Sequence, residues 1–290
     1  MSLIPWLTAT NNNTSAATPT GFSTSTATGI RALDTTTEYA TSITAGSTAN
    51  VNIGSVSVLA GDTTVNSLRL TSATIANLGT GRKLNITSGG IFFSANTSGI
   101  GAAGNATAGT VDFGTAEGVV WAIGTNSNSI GSVIAGSGGL TKRGTGTLTI
   151  TGSNTYFGDT YVSSGTLIVG NGTNNSNLGT SGDVFVAAGS TLDIRNNNAI
   201  ADTSKLTLTL SGLFNGKVAL ASGINETVNS LFFGSQAQTS GTWGSTSSGA
   251  TYTNDNYFTG SGVLTVTVPE PATWALLAFI FLYVLGPLRG

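Results

Sequence analysis

The residues that could carry out acid–base chemistry are twelve carboxylates, and their spacing forms no recognisable motif. They are Asp34, Asp62, Asp112, Asp159, Asp183, Asp193, Asp202, Asp255, Glu38, Glu117, Glu226 and Glu270. No D-x-D pair, E-x-x-E pair or calcium-binding loop occurs among them. A glycosidase needs only two carboxylates, which can be distant in sequence, so spacing alone leaves an enzyme open.

Histidine and cysteine are both absent from the chain. The usual general base near neutral pH and the commonest metal ligand are therefore missing. Ser-His-Asp and Cys-His catalytic sites cannot be built, nor can disulfides or thiolate metal sites. We therefore predict no catalytic, cofactor-binding or metal-binding residues. The alternative to a non-catalytic protein is a β-helical polysaccharide lyase or hydrolase, which would use carboxylates together with a Lys or Arg base.

Charge is scarce and nearly balanced. Only 8% of the residues are charged and the formal net charge is -2, whereas about a quarter of the residues are charged in ordinary globular proteins. The ten basic residues form no patch of the kind that neutralises phosphates. Nucleic acid is therefore not an expected partner.

Short segments with alternating apolar and polar residues recur between about residues 31 and 267. They read SLRL (67–70), KLNI (83–86), TLTI (147–150), TLIV (166–169), TLDI (191–194), KLTLTL (205–210) and VLTV (263–266). Alternation with period two is typical of half-buried strands, and the intervening glycines favour turns. The sequence predicts an all-β fold.

Several of these segments also repeat as phrases. GTGTLTI, SSGTLIV and AGSTLDI share one pattern, and TVNSL occurs at 64–68 and again at 227–231. Repeats of this size are typical of a solenoid, in which stacked coils bury a continuous core. At about 20–25 residues a coil, we expect roughly ten coils, in a rod about 50 Å long. A β-sandwich or barrel is the rival architecture.

Aromatic residues fall into two groups. We interpret Phe92, Phe93, Phe232 and Phe233, which adjoin predicted strands, as core or coil-stacking residues. The others lie among Gly and Asn, where corner packing is favoured over stacking on sugar rings. They are Trp121, Tyr156, Phe157, Tyr161, Trp243, Tyr252, Tyr257 and Phe258.

The two ends of the chain differ from its middle. Residues 1–30 are rich in Thr, Ser and Asn, and they show no basic n-region followed by an apolar h-region, so we predict no signal peptide there. The segment resembles the interior of a longer chain, which favours a misplaced start or a fragment of a longer gene. Export by another route is the alternative. Residues 268–290 read VPEPATWALLAFIFLYVLGPLRG, a Pro-Glu-Pro motif followed by an apolar run. A helix over 272–288 would be about 26 Å long, at the short limit for a bilayer.

The stretch GSGGLTKRGTGTLTITGSNTYFGDTYVSSGTLIVGN at 136–171 resembles the autotransporter-associated β-strand repeat. Phe157 and Asp159 depart from the repeat pattern without disturbing the strands. The resemblance implies a right-handed parallel β-helix in an exported protein, of a kind that often serves as a surface or extracellular passenger. The repeat carries no catalytic motif.

The C-terminal segment resembles the PEP-CTERM sorting signal. The sorting motif would be Pro269, Glu270 and Pro271, and the transmembrane helix would use the anchor residues Trp274, Leu276, Phe279, Phe281, Leu285 and Arg289. Arg289 alone stands where that family usually has several basic residues. The resemblance implies processing by an exosortase, a membrane-bound cysteine transpeptidase-like enzyme of bacteria that make exopolysaccharide.

The sequence therefore predicts a right-handed parallel β-helix over 31–267 followed by one transmembrane helix. We expect an exported, non-catalytic surface or extracellular-matrix protein of structural or adhesin-like character. Its partners would be an exosortase, the membrane and an exopolysaccharide. A glycan-binding module is a further alternative, which a row of exposed aromatic residues along one face would support.

Overall fold

The computed structural model describes residues 3–9, 20–27, 29–54, 59–71, 74–75, 78–101, 109–173 and 175–268. Within those ranges the regular secondary structure consists of β-strands alone. In the same ranges, no helix has the length and apolar character needed to cross a membrane. The predicted transmembrane helix would begin at Ala272 and so lies outside the described residues.

The strands follow one another at short intervals. The first nine are β1 (Leu3–Ala9), β2 (Gly21–Thr26), β3 (Gly29–Ala32), β4 (Asn50–Ile53), β5 (Thr63–Leu70), β6 (Thr74–Ile75), β7 (Lys83–Phe93), β8 (Gly99–Ile100) and β9 (Thr110–Asp112). The next ten are β10 (Gly118–Ala122), β11 (Ser127–Ile130), β12 (Val133–Ala135), β13 (Leu140–Arg143), β14 (Thr147–Ile150), β15 (Thr160–Val162), β16 (Thr166–Val169), β17 (Val184–Val186), β18 (Thr191–Ile194) and β19 (Lys205–Leu208). The last ten are β20 (Leu210–Ser211), β21 (Phe214–Asn215), β22 (Lys217–Leu220), β23 (Asn225–Val228), β24 (Ser230–Phe233), β25 (Gln236–Ala237), β26 (Gly241–Gly244), β27 (Tyr252–Thr253), β28 (Phe258–Thr259) and β29 (Val263–Val266).

Parallel pairing joins most of these strands into a β-solenoid. Sheet A contains β4, β5, β7, β10, β13, β15, β17, β19 and β24, and sheet B contains β6, β8, β11, β14, β16, β18, β22 and β28. A shorter run, side C, pairs the first half of β7 with β9 and then β12. Consecutive strands such as β10, β11 and β12 lie on sheet A, sheet B and side C in turn, and the solenoid has about seven turns.

Like residues stack on one another along sheet B. Leu148 pairs with Leu167, which pairs with Leu192, and all three side chains are fully buried. The threonines that precede them also stack and are only half-buried. The predicted alternation is therefore confirmed, and so is the choice of a solenoid over a sandwich or barrel.

The repeated phrase TVNSL serves the same purpose at both positions. Residues 64–68 lie within β5. The first part of β5 pairs with the first half of β7 and the last part of β5 pairs with the second half, and the chain turns between these two parts. Residues 227–231 connect β23 to β24. Val65, Leu68, Val228 and Leu231 are all fully buried. Each copy thus turns a corner into sheet A with one apolar residue on either side.

The predicted number of coils, roughly ten, is wrong. Register spacing between stacked coils runs from 17 residues, between Val51 and Leu68, to 40 residues, between Val218 and Phe258. The 40-residue interval contains β26 and β27, which lie in neither sheet A nor sheet B, and β26 pairs antiparallel with β29. In addition, β1, β2 and β3 form an antiparallel sheet and add no coil.

Both ends of the solenoid core are covered by chain that departs from the repeat. Ile43, in the loop before β4, is buried against the first coils. At the other end, β26 pairs antiparallel with β29, and Trp243, Tyr257 and Phe258 pack around Phe233. Because open strand edges invite association with other chains, these segments act as caps.

Candidate functional site

The repeat coil is built around a buried lysine. Lys142 occupies an inward position of β13, stacked between Val120 and Val162, and its side chain is fully buried. Its Nζ donates to the carbonyl oxygen of Ser164 at 2.6 Å, and also to the carbonyls of Gly144 and Gly146. Burial lowers the pKa of Lys142 to about 7. One ammonium group therefore ties together the corners of two successive coils.

Glycine is required where this ammonium lies. Gly165 has φ +69°, and a Cβ placed there would come within 2.5 Å of the Lys142 Nζ. At Gly146 a Cβ would lie 2.7 Å from the carbonyl oxygen of Asn126. Contacts this short displace either the lysine or the neighbouring backbone, so the GTG and SSG phrases reflect tight stacking of corners.

Two asparagines continue the hydrogen bonding on side C after β12. The Oδ1 of Asn154 accepts the Ile134 N–H at 2.8 Å, and its Nδ2 donates to the Asn177 carbonyl at 2.7 Å. The Nδ2 of Asn177 donates in return to the Asn154 carbonyl at 2.8 Å. Side-chain amides thus replace the strand ladder across three coils.

Glu226 plays a related role nearer the C-terminus. It is fully buried, and its carboxylate accepts the N–H groups of Ile200 at 2.7 Å and Ala199 at 3.2 Å. Burial raises the pKa of Glu226 to about 7. The acid holds the preceding coil through its backbone, as Asn154 does earlier in the chain.

An aromatic row runs along the outer side of sheet A. Tyr161 and Phe185 are stacked, with ring centroids 4.8 Å apart and an interplanar angle of 7°. The Nζ of Lys205 lies 5.5 Å from the Phe185 centroid and 5.9 Å from that of Phe232. These rings therefore stack mainly on one another and on the lysine, which supports the coil-stacking interpretation of Phe232.

Most of the other aromatic residues follow the interpretation given them. Phe93, Tyr156, Trp243, Tyr257 and Phe258 are buried, and so are Phe92 and Phe233. Phe92 faces outward beneath the N-terminal sheet, where it meets Phe22 edge to face with the ring centroids 5.7 Å apart. The corner-packing prediction is wrong for Phe157, whose exposed fraction is 62%. It is also wrong for Trp121 and Tyr161, which lie on strands of sheet A and not at corners.

The carboxylates are dispersed over the solenoid, and most hold parts of it together. Asp159 accepts the Asp183 N–H at 2.8 Å, and Asp183 accepts the Lys205 N–H at 2.9 Å while pairing with the Lys205 ammonium at 2.9 Å. In the described part of the chain, no three His, Cys, Asp or Glu residues cluster in a way that could hold a metal ion. The absence of metal and catalytic residues stays a prediction.

The β20–β21 hairpin carries apolar residues away from the core. Leu210, the last apolar residue of KLTLTL, is 54% exposed because the chain has already left sheet A. A cavity of about 270 Å³ lies beside the hairpin, against the corner before β18. It is lined by Gly189, Ser190, Thr191, Leu213, Phe214, Asn215, Lys217 and Asn256.

The sorting motif and the anchor residues cannot be placed in the fold. Pro269, Glu270, Pro271, Trp274, Leu276, Phe279, Phe281, Leu285 and Arg289 all lie outside the described residues. Sequence reasoning also missed Lys142, Asn154 and Glu226 as organising residues. For Lys142 a signal exists, because it shares the inward parity of Leu140 in GLTKR.

Comparison with known families supports the assignment of the repeat. Residues 140–169 match the model of the Passenger-associated-transport-repeat. The matched residues include Lys142, Asn154 and the strands β13 to β16. Neither a curated protein nor a solved structure matches the chain.

Proposed function

We propose that this chain is an exported bacterial protein that works at the cell surface or in the extracellular matrix, in a structural or adhesin-like role. The observation that carries the proposal is the match of residues 140–169 to a passenger-associated repeat, on a coil that belongs to a continuous solenoid. The resemblance of 136–171 to repeats of exported passengers agrees with it. The right-handed coil expected from that resemblance belongs to the same proposal, since parallel crossovers are right-handed in nearly all cases.

The proposed role is non-catalytic. In support, Asp183 and Asp193 form ion pairs with Lys205 and Arg195, and Glu226 is buried on backbone N–H groups. The two aspartates already have cationic partners, and Glu226 is fully buried, so a substrate could not reach it to exchange a proton. Incubation of the purified chain with polysaccharides should release no oligosaccharide, and measurable turnover would favour the lyase or hydrolase alternative.

The proposal extends to the C-terminal segment. Pro269, Glu270 and Pro271 would form the sorting motif, and the apolar run after them would hold the chain in the membrane until an exosortase cuts near the motif. The solenoid leads into this segment at Val268, which is exposed beside the C-terminal cap.

Mass spectrometry of the mature C-terminus tests this proposal directly. The protein is recovered separately from membranes, the outer surface and the culture medium. We expect material at the surface or in the medium to end near the Pro-Glu-Pro motif, and a Glu270→Ala variant to accumulate in the membrane with Gly290 intact. A chain with Gly290 intact found only in the inner membrane would contradict both sorting and the extracellular role.

A further inference from the structure

The β20–β21 hairpin exposes more apolar surface than its neighbours. Leu213 is 97% exposed and Phe214 is 68% exposed, and Leu210 lies beside them on the same hairpin. Each buried Å² of apolar surface stabilises a fold by about 25 cal/mol, and the exposed parts of these side chains contribute none of that. Exposed apolar residues grouped in this way often mark an interaction site.

The hairpin is held rigidly against the solenoid. The Gly189 N–H donates to the Asn215 carbonyl at 3.0 Å, and the Lys217 N–H donates to the Ser190 carbonyl at 2.9 Å. The hairpin itself is closed by the Gly216 N–H, which donates to the Thr209 carbonyl at 2.7 Å. The cavity between the hairpin and the corner at 189–191 is therefore already formed before any ligand arrives.

The lining of this cavity is apolar on one side and polar on the other. Leu213 and the ring of Phe214 form the apolar side, while Thr191, Asn215 and Asn256 supply hydroxyl and amide groups. Ser190 also lines it, and the Oγ of Ser190 is buried without a hydrogen-bond partner in the described part of the chain. An aromatic ring beside several neutral donors and acceptors matches the chemistry of a sugar ring, which has an apolar face and a rim of hydroxyls.

The charge and the size of the cavity restrict the class of ligand further. Lys217 is the one charged residue that lines the cavity. A single positive charge offers little attraction to a polyanion. The cavity, at about 270 Å³, is slightly below the range of about 300–1,000 Å³ typical of small-molecule sites. It therefore suits a single ring of a longer chain.

We propose that this cavity binds one sugar ring of a neutral polysaccharide, with the ring on Phe214 and its hydroxyls bonded to Asn215 and Asn256. The inference rests on the proposed surface function, because a surface protein meets polysaccharide in the extracellular matrix. It adds a binding site to the structural role, at the corner between sheets A and B where the β20–β21 hairpin leaves the coil.

Affinity electrophoresis of the full chain tests the site. Native gels are cast with soluble β-glucan, galactomannan or polygalacturonate, in a detergent without a sugar headgroup. We expect retardation in at least one neutral polysaccharide, and a Phe214→Ala variant to bind it at least tenfold more weakly. Phe157→Ala is the matched control, because Phe157 is 62% exposed and lies outside the cavity. This control should bind like the parent chain.

Three results would overturn the proposal. The first is no retardation by either neutral polysaccharide, and the second is equal retardation of the parent chain and Phe214→Ala. The third is a dimer, detected by light scattering, that Phe214→Ala abolishes without affecting polysaccharide binding. The hairpin would then bind a second copy of this chain. Each of these three results can be obtained with a correctly exported protein. They would therefore refute the sugar site without refuting the proposed surface function.

Discussion

The matched repeat at 140–169 and the C-terminal coils at 205–268 both close turns of the same solenoid, yet they use different chemistry. In the repeat, Leu140 and Thr160 stack at an interval of 20 residues, and polar groups such as Lys142 and Asn154 tie the corners. Near the C-terminus the intervals lengthen, hairpins leave the coil, and rings packed around Phe233 close the core. The repeat is therefore constrained by stacking on both sides, whereas the last coils are shaped by having to end the stack and to present a surface.

The largest effect is expected at the C-terminal cap. Phe233 points into the core and stacks on Tyr257 with ring centroids 3.9 Å apart. We expect Phe233→Ala to lower the free energy of unfolding by about 3–5 kcal/mol, the range for a buried phenylalanine. The neighbouring Phe232 faces outward, so Phe232→Ala should cost about 1 kcal/mol or less. Urea denaturation followed by circular dichroism measures both, and equal losses would refute the cap.

The repeat should depend in a comparable way on its lysine. Lys142→Ala leaves three buried carbonyls without their donor, so we expect a loss of about 3 kcal/mol. Lys142→Met keeps the packing of the stem and should lose less. Lys83→Ala is the control, because Lys83 is 52% exposed and pairs with Asp112 at 3.3 Å; it should cost under about 1 kcal/mol. If Lys142→Ala proved as stable as Lys83→Ala, the lysine would not organise the coil.

The buried residues Glu226 and Lys142 predict that stability changes with pH in opposite directions and in different pH ranges. The pKa of Glu226, about 7 in the folded chain, lies above its ordinary value of 4.5, so the folded state binds that proton more tightly. Its contribution to stability is fully present below pH 4.5 and is lost as the pH rises through 7. We expect a decrease on the order of 2 kcal/mol between pH 5 and pH 7.5. Denaturation midpoints measured at both pH values should show a smaller decrease in Glu226→Gln.

Lys142 changes the stability of the fold in the alkaline pH range. Its pKa of about 7 in the folded chain lies below its ordinary value of 10.5, so the unfolded state binds the proton more tightly. Stability attributable to Lys142 is fully present only above pH 10.5 and is lost as the pH falls through 10.5 towards 7. Lys142→Met should therefore flatten the rise between pH 8 and pH 10. An unchanged slope in that variant would mean that Lys142 does not titrate there.

The smallest effect on stability is expected at the hairpin tip. Leu213 is almost completely exposed, so Leu213→Ser should change the free energy of unfolding by less than about 0.5 kcal/mol. The matched core change is Leu208→Ser, in the strand just before the hairpin, where the side chain is fully buried. Thermal unfolding of the two variants separates surface from core, and a large loss in Leu213→Ser would place the tip in the core instead.

Sequence patterns predicted the strands of this fold better than its irregular parts. The alternation in TLTI, TLIV and TLDI gave the buried and exposed positions correctly because each coil stacks on an almost identical neighbour. The coil count was too high because no pattern in the sequence marks the strands that leave the coil, such as β26 and β27 in the 40-residue interval between Val218 and Phe258. The inward parity of Lys142 with Leu140 indicates that Lys142 is buried, but the Ser164 carbonyl that it binds lies on the next coil. The N–H groups that Glu226 binds lie on the preceding coil, and no local pattern reveals either contact.

Proteolysis of intact cells tests the central claim, that the solenoid is displayed outside the cell. Chymotrypsin cleaves after exposed aromatic and leucine residues, and Leu213 and Phe214 lie at the tip of a projecting hairpin. We expect intact cells to yield a fragment ending at Leu213 or Phe214 while a cytoplasmic marker protein stays uncut. Cleavage at this hairpin in lysates but full protection in intact cells would contradict the claim.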